Sequence, residues 1–409
     1  MKQSLSRVKQ PKQFDFILMT ILILTFLASV IAIYASFPLL PAYLSGSLQL
    51  GKQIMFYIFG IIIILAIIYI GNENLFDFAK LGYKIVLILL LYLFIDMILM
   101  KVTGRVSNLL PFASAVNGAD SWFEFPLIGT LQPSEFMKVI LIIITAYIIK
   151  EHNENKTVDT FESDLQLFIK VAKWAIAPLL LILAQPDTGI FIIIIFSLAL
   201  MLACSGIRKE WIIGVALIVG VALFIFFYLY YFDQTLFAKI FSGGGYKTNR
   251  IYGWLNPEEN LKGPGLQLYT ALISIGSSGL FGHGLGSTVI SSIPEAHTDF
   301  IFAVIGLNFG LIGCLIVVIL CVALDVRLCI IASRSNNHVE KMMIIGFVGM
   351  LIFQQIQNIG MVLGLLPITG ITLPLISSGG SSLLSYMIAF GIIFNASAKA
   401  KKLSDFVYD

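Results

Sequence analysis

An acidic residue stands at the start of a long apolar run in the stretch PEAHTDFIFAVIG at 294–306. The carboxylate of Asp299 could take a proton from a substrate hydroxyl, which is the work of a general base. Asp and Thr are also common helix N-caps, so Thr298 or Asp299 could simply begin the helix that follows. His297 precedes them, and a lone histidine at such a position is more often a hydrogen-bonded polar residue than a base or a metal ligand.

Two further polar stretches adjoin apolar runs. In LQPSEFMK at 131–138, Glu135 and Lys138 are three residues apart and share a helix face. Charges beside membrane segments are costly, so the pair is a functional candidate, but an ion pair that steadies the helix start is an equal alternative. In AQPDTG at 184–189, Asp187 follows a proline and lies two residues before a glycine. That pattern favours a turn and a helix start over catalysis.

These residues belong to a strongly apolar chain. Of its 409 residues, 58% are hydrophobic and 12% are charged, and the mean hydropathy is +0.94. A soluble domain cannot hide that much apolar surface, so we predict an all-α polytopic membrane protein. Ten apolar runs are predicted to be membrane helices, and the short fourth is expected to extend backward through LQPSEF or to lie partly in an irregular segment. The ten runs are 15–36, 53–70, 83–101, 136–150, 167–184, 189–205, 211–231, 300–325, 342–365 and 382–398.

The distribution of Lys and Arg predicts the orientation of these spans. Most of them lie at the two ends and in the loops after the even-numbered spans, which places both termini in the cytoplasm and Asp299 outside. The net charge of +3 is then a topology signal, and no basic stripe with interleaved aromatics predicts nucleic-acid binding. The four cysteines lie in or at the ends of apolar runs, as packing residues do.

We interpret residues 1–409 as a single ten-helix membrane domain with a large extracytoplasmic loop at 232–299. A second long outward loop covers 102–135, and the aromatic residues of both loops predict that they pack rather than remain disordered. LQLYTALISIG within 232–299 is predicted to form a short interfacial or re-entrant helix. Residues 364–382 are apolar but broken by prolines and glycines, so other parts of the protein must satisfy their backbone.

Six stretches together resemble the RodA/FtsW family, also called SEDS proteins (shape, elongation, division and sporulation), with a RodA-like bias. The stretches are LQPSEFMK at 131–138, QPDTG at 185–189, RIYGWLNP at 250–257, GLFGHGLG at 279–286, PEAHTDFIFAVIG at 294–306 and NIGMVLGLLPITGITLPLISSGGSS at 358–382. The resemblance implies ten membrane helices and a peptidoglycan glycosyltransferase that polymerises lipid II, the undecaprenyl-diphosphate-linked disaccharide-pentapeptide, outside the cytoplasmic membrane. The family's essential acid corresponds to Asp299.

The mechanism that the resemblance implies is an inverting transfer giving a β-1,4 linkage, with Asp299 as the base. Positive charge is needed for the departing diphosphate, and Arg250 is the first choice, ahead of Lys138. Substrate contacts are predicted for Arg250, Lys138, Glu135, His297, Ser377 and Ser381. No nucleotide cofactor is expected, and a divalent ion, Mg or Mn, bound with the diphosphate is left open. The implied partner is a class B penicillin-binding protein that crosslinks the strands.

Four positions depart from the usual family pattern. Leu307 and Asn308 replace an acidic pair, Asp120 stands where a basic residue is common, and Ser378 replaces a frequent tyrosine. These departures keep two alternatives open, a lipid II flippase or other transporter, and a noncatalytic scaffold that recruits the transpeptidase. A transporter would place charges near the bilayer midplane, and the absence of an internal repeat counts against one. The role in elongation, division or sporulation is not decided by the sequence.

Overall fold

Each of the ten predicted apolar runs forms a long helix. The computed structural model describes residues 14–407 except 105–107, 117–118, 126–128, 157, 242–245, 262 and 291. The ten helices are α1 (Phe16–Ala35), α2 (Gly46–Ile70), α3 (Leu75–Thr103), α4 (Pro133–Asn155), α5 (Phe161–Ala184), α6 (Thr188–Ala203), α7 (Lys209–Phe232), α11 (Ile301–Arg334), α12 (His338–Val362) and α13 (Gly380–Val407).

Eight of these helices are long and apolar enough to cross a bilayer, so the chain is a multi-pass membrane protein. The other two are α4, with 23 residues, and α6, with 16. The predicted backward extension of the fourth run is confirmed, because α4 begins at Pro133. Helix α12 ends at Val362, three residues earlier than predicted, and the chain from there to Gly379 is not helical.

A small antiparallel sheet lies between α3 and α4, which the all-α prediction did not anticipate. Its strands are β1 (Ala113–Val116), β2 (Ala119–Phe125) and β3 (Gly129–Leu131), in the order β1-β2-β3. Phe123 of β2 lies opposite Ala113 and Leu131. The strands are short, and apolar and polar residues alternate only over Phe123-Glu124-Phe125, a signal too weak to separate a strand from a packed loop.

Three short helices occupy the long 232–299 segment: α8 (Gln234–Phe241), α9 (Tyr246–Leu255) and α10 (Pro264–Ser277). The prediction that this segment packs is confirmed, because Phe237 and Leu268 are buried. The predicted short helix is confirmed as α10, which packs against α9 and α11.

The buried core has two parts. The larger is built mainly around α4, α12 and α13, and the smaller surrounds the start of α11 together with α10 and the non-helical chain after α12. The site described below borders the smaller core.

Two features of α11 set its position. Gly310 has φ +63° and ψ −156°, so the helix is broken there into two rods. Far along the second rod, the Arg327 guanidinium donates to the fully buried Asp15 carboxylate with Nη2–Oδ2 at 2.7 Å. The Ser397 hydroxyl donates to the same oxygen at 2.7 Å. This ion pair therefore ties the start of α1 and part of α13 to the second rod of α11.

Candidate functional site

The backbone just before α11 is held at three consecutive carbonyl oxygens. The Ser378 amide donates to His297 O at 2.8 Å, the Ser377 hydroxyl donates to Thr298 O at 2.7 Å, and the Asn358 side-chain amide donates to Asp299 O at 2.7 Å. Because the donors come from two separate parts of the chain, the peptide that carries the Asp299 carboxylate has little freedom to move. Such preorganisation is what a catalytic group requires.

The Asp299 carboxylate and the Arg250 guanidinium meet at Gly370. A Cβ placed on Gly370 would lie 2.9 Å from Arg250 Nη2 and 3.3 Å from Asp299 Oδ2. Arg250, on α9, also donates from Nη1 to Thr369 O at 2.6 Å. Gly370 has φ +74°, a conformation that glycine adopts without strain. The missing side chain therefore leaves the space into which both charged groups project.

The surroundings of Asp299 bring its pKa close to neutral pH. Burial and the negative charge of Glu295 raise the pKa and the positive charge of Arg250 lowers it, with a net value of about 7. A base whose pKa lies near the working pH is well matched to proton abstraction.

Neither Thr298 nor Asp299 caps α11, so the alternative that these residues only begin the helix is wrong. The N-cap is Phe300, and no side chain accepts a hydrogen bond from the first amides. The Thr298 hydroxyl donates instead to Glu295 Oε2 at 2.7 Å. The helix start is set by backbone contacts, which leaves the Asp299 carboxylate available for chemistry.

His297 lies two residues before Asp299 and is partly buried. Burial lowers the pKa of its imidazole, so the ring is neutral at pH 7. Its Nδ1 atom is buried and has no hydrogen-bond partner among the residues that the structure describes. A neutral imidazole here is suited to hydrogen bonding with a substrate rather than to charge stabilisation.

The non-helical segment 363–379 is held by side chains from several helices, as its sequence predicted. Trp254 on α9 donates to Gly364 O at 2.9 Å, and Tyr57 on α2 donates to Leu375 O at 2.5 Å. Further donors to its carbonyls are Gln357 to Pro367, Asn358 to Ile371, Ser29 to Ile376 and Gln53 to Ser377. These bonds satisfy irregular backbone inside a membrane protein and make the segment a fixed wall beside Asp299.

Ser377 and Ser381 use their hydroxyls within the protein. In addition to the Thr298 contact, the Ser377 hydroxyl accepts from the Leu373 amide at 2.9 Å. Ser381 accepts from the Gln132 amide at 2.9 Å and donates to Thr130 O at 3.3 Å. Ser377 therefore holds the Asp299 peptide, whereas Ser381 joins α13 to the end of β3.

Glu135 and Lys138 form a separate cluster on α4. Their side chains make an ion pair at 2.5 Å and are 6% and 1% exposed. The Lys138 ammonium also lies 4.6 Å from the centre of the Tyr386 ring. Of the two roles that the sequence left open, this complete burial favours the ion pair that steadies the start of α4.

Asp187 caps α6, accepting from the Ile190 amide at 3.3 Å, which confirms the predicted helix start. It also accepts from Gln132 Nε2 at 2.7 Å and Ser134 Oγ at 2.9 Å. Burial raises its pKa to about 6. A Cβ on the nearby Gly189 would lie 3.0 Å from Ile371, so this turn packs against the same segment that borders Asp299.

Of the departures from the family pattern, Asn308 has a clear structural role. Its Oδ1 accepts from the amides of Gly286 and Ser287 at 2.8 and 3.1 Å, and its Nδ2 donates to Val304 O at 2.8 Å. The fully buried amide thus fastens the 279–287 loop to α11 beside the break at Gly310. Leu307 is also fully buried, Ser378 contributes its amide to the site, and the Asp120 side chain lies outside the described residues.

Replacing Asn308 by Leu is expected to lower the free energy of unfolding by ~1–3 kcal/mol, because the amides of Gly286 and Ser287 lose their acceptor. Asn308→Asp keeps an acceptor for both amides, and in mildly acidic buffer its protonated carboxyl can still donate to Val304 O, so its effect on the melting temperature should be smaller there. Thermal unfolding of the two variants in the same detergent compares them. Equal melting temperatures for Asn308→Leu and the unsubstituted protein would contradict this role.

No three His, Cys, Asp or Glu side chains converge in the geometry of a metal site within the part of the chain that the structure describes. We therefore assign no residue to a divalent ion.

Two residues of the site were missed by sequence reasoning. Asn358 and Gly370 both lie in the 358–382 motif, but neither is charged or nucleophilic. A glycine flanked by β-branched residues after a proline was the available signal for Gly370, since it marks a turn or a close approach. Asn358 carried no comparable signal, because its role depends on carbonyls from two distant segments.

The model of the family FTSW_RODA_SPOVE, described as "Cell cycle protein", matches residues 15–402. The chain belongs to this FtsW/RodA/SpoVE family. Its FtsW/RodA/SpoVE relatives include the probable peptidoglycan glycosyltransferase FtsW of Lactococcus lactis, 32% identical over 301 residues, which are 71% of this chain and 72% of the relative.

Other relatives in the FtsW/RodA/SpoVE family differ in name. Stage V sporulation protein E of Bacillus subtilis is 33% identical over 69% of this chain and 72% of its own length. Peptidoglycan glycosyltransferase MrdB of Escherichia coli is 33% identical over 72% of this chain and 75% of its own length. Similarity at this level to all of them leaves the cellular branch undecided.

Solved structures share the FtsW/RodA/SpoVE fold. The crystal structure of the rod shape determining protein RodA of Thermus thermophilus superposes with a TM-score of 0.62 at 22% identity, covering 94% of this chain and 96% of that one. A chain in a peptidoglycan synthase complex superposes with a TM-score of 0.71 at 21% identity, covering 95% and 98%. The fold prediction of a multi-helix membrane protein of this family is confirmed.

Proposed function

We propose that this chain is a peptidoglycan glycosyltransferase whose general base is Asp299. The activity is the one named for its FtsW and MrdB relatives. The observation that carries the assignment of the base is the placement of a fixed carboxylate, with a pKa of about 7, beside a guanidinium group at Gly370.

In the proposed reaction, the acceptor is the 4-hydroxyl of the GlcNAc unit of one lipid II molecule. Asp299 takes the hydroxyl proton while the oxygen forms a bond to the anomeric carbon of the donor chain. The bond from that carbon to the undecaprenyl diphosphate oxygen breaks, and the diphosphate leaves with the electron pair. Attack from the opposite face inverts the configuration and gives the β-1,4 linkage.

Arg250 is proposed to stabilise the departing diphosphate. Its guanidinium is fixed by the bond to Thr369 O and lies beside the Asp299 carboxylate at Gly370. A planar, permanently charged fork suits phosphate oxygens, and charge stabilisation of this kind is often the largest catalytic effect. His297, with a neutral ring two residues from the base, is proposed to orient a sugar hydroxyl.

We place the active site on the outer face of the bacterial cytoplasmic membrane, because the distribution of Lys and Arg predicts that side for Asp299. Lipid II is the proposed substrate. A class B penicillin-binding protein is the proposed partner, in keeping with a structural neighbour from a complex that coordinates polymerization with crosslinking.

The pH dependence of polymerisation tests the assignment. Since the base must be ionised, the initial rate is expected to fall about tenfold per pH unit below about pH 7 and to be level above it. Glu295→Gln removes the charge that helps raise the pKa of Asp299, so its acid limb should move to lower pH. Rates of glycan-strand formation from labelled lipid II between about pH 5.5 and 8.5 measure both curves.

Glu124→Gln is the matched control, because Glu124 is an exposed carboxylate on β2. It should leave the profile unchanged. A profile that is flat through pH 7, or one that Glu295→Gln and Glu124→Gln shift equally, would contradict Asp299 as the base.

A further inference from the structure

The entry to the small sheet between α3 and α4 is an apolar loop where a water-exposed loop would be polar. Residues 109–112 read Leu-Leu-Pro-Phe, and Phe112 is 55% exposed. Its backbone has φ +63°, a conformation that is uncommon for a bulky residue. The fold keeps a large apolar ring exposed at a position that polar Asn or Asp would occupy with less strain.

Contacts with α3 show how far along that helix this loop returns. The Asp96 carboxylate accepts from the amides of Leu109 and Leu110 at 2.9 and 2.7 Å. The Tyr92 hydroxyl donates to Pro111 O at 3.1 Å. Along α3, Asp96 and Tyr92 precede Lys101 by ~7 Å and ~14 Å at 1.5 Å per residue. The loop therefore runs back beside the apolar part of α3.

Backbone amides of the loop are hydrogen-bonded within the protein, as a hydrocarbon environment requires. Asp96 is fully buried, and besides the two amides it accepts from Asn108 Nδ2 at 2.6 Å. Pro111 has no amide hydrogen, and the Ala113 amide donates to Leu110 O at 3.3 Å. In water, these backbone amides could donate to solvent and would not need a carboxylate from the protein. Within the membrane there is no such solvent, so the protein itself must supply the acceptors.

The helix beside which this loop lies also exposes apolar side chains. Leu91, Ile95 and Ile98 are 46%, 44% and 41% exposed on that membrane helix, as lipid-facing residues are. The Phe112 ring stacks on Phe125 of β2 with ring centroids 5.4 Å apart, and Phe125 in turn stacks on Phe123.

We propose that residues 109–113 are immersed in the membrane leaflet around the C-terminal end of α3, with the Phe112 ring in contact with lipid acyl chains. In the predicted orientation this is the outer leaflet. The sheet then rises out of the bilayer, and its last strand leads to Gln132, which donates to Ser381 and Asp187. The inference does not depend on the proposed catalytic chemistry.

Spin-label accessibility in lipid nanodiscs tests the immersion. Labels would be placed at Phe112→Cys and Pro111→Cys in a background with Cys204→Ser and Cys329→Ser, since Cys204 and Cys329 are the exposed cysteines. Leu99→Cys on the lipid-facing side of α3 and Glu258→Cys in the exposed turn after α9 are the references. Labels at 111 and 112 should be relaxed by oxygen and shielded from an aqueous nickel chelate, as at 99. Access of the chelate equal to that at 258, or shielding from both relaxants, would overturn the proposal.

A pair of substitutions gives a second test that needs no label. Phe112→Asn and Phe112→Leu both lose the ring contact with Phe125. Asn suits the positive φ but is costly in hydrocarbon, whereas Leu has the opposite properties. Immersion predicts that Phe112→Leu melts at a temperature higher than Phe112→Asn by about 3 °C or more. The reverse order would show that the position faces water.

Discussion

Replacing Asp299 by Asn is expected to lower the rate of lipid II polymerisation by roughly 10²- to 10⁴-fold, the usual contribution of a general base. Asn preserves the size of the side chain, and the three carbonyl contacts at residues 297–299 do not involve the carboxylate. The loss should therefore appear in turnover rather than in protein yield. Glycan ladders from the purified protein, with and without its transpeptidase, measure it.

The stability of the same variant separates a catalytic role from a structural one. The folded-state pKa of Asp299 is raised to about 7, so the native state holds this proton more tightly than the unfolded chain. Stability must then fall as the pH rises from about 4 to about 7. Asn removes that effect, so Asp299→Asn should melt at an equal or higher temperature than the unsubstituted protein at pH 8.

Asp233→Asn is the control, because Asp233 is an aspartate in the same long segment whose carboxylate only holds the start of α8. Equal ladders from Asp299→Asn and the unsubstituted protein would remove Asp299 from the role of base. No ladder from the unsubstituted protein, even with its partner and added magnesium or manganese, would favour the scaffold or the transporter.

Gly370→Ala is expected to reduce kcat about 100-fold, because displacing reacting groups by about 1 Å has effects of this size. The new Cβ would lie 2.9 Å from Arg250 Nη2 and 3.3 Å from Asp299 Oδ2, so one or both groups must move. Alanine at φ +74° also strains the backbone by ~1 kcal/mol. Single-turnover rates with labelled lipid II measure the chemical step directly.

Gly71→Ala separates crowding from backbone strain. Gly71 has φ +82° and ψ 174° and nothing within 4 Å of its Cβ position, so alanine is strained there without a steric contact. Gly71→Ala should lower the melting temperature and retain full activity. Comparable activity losses in the two variants would mean that the space at Gly370 does not matter for catalysis.

The membrane helices were predictable because one property decides them. A run of about 20 apolar residues has a single favourable environment, so hydropathy located all ten long helices, and the shortness of the fourth run predicted that α4 begins earlier. The sheet was missed because its strands of four, seven and three residues depend on pairing with each other. Local sequence carries little of that information.

The site was predictable only in part. Asp299 stood out as an acid at a membrane edge, and Arg250 followed from the need for positive charge near a diphosphate. The two side chains lie together at Gly370, so the site combines α9, the chain before α11 and the segment after α12. These regions are far apart in the sequence, and no pattern of residue spacing predicts that they come together. Lys138 and Glu135 were grouped with Asp299 by residue type, whereas their mutual ion pair at 2.5 Å makes a separate cluster.

The break in α11 at Gly310 has a mechanical consequence. A continuous helix transmits tilt and rotation along its whole length, but a break with φ +63° lets each rod take its direction from its own neighbours. The second rod is held by the ion pair of Arg327 with Asp15, whose carboxylate Ser397 also contacts, while the first is aligned by Asn358 and by the loop that Asn308 fastens. We therefore expect tilting of the far end of α11 to be transmitted only weakly to the Asp299 carboxylate.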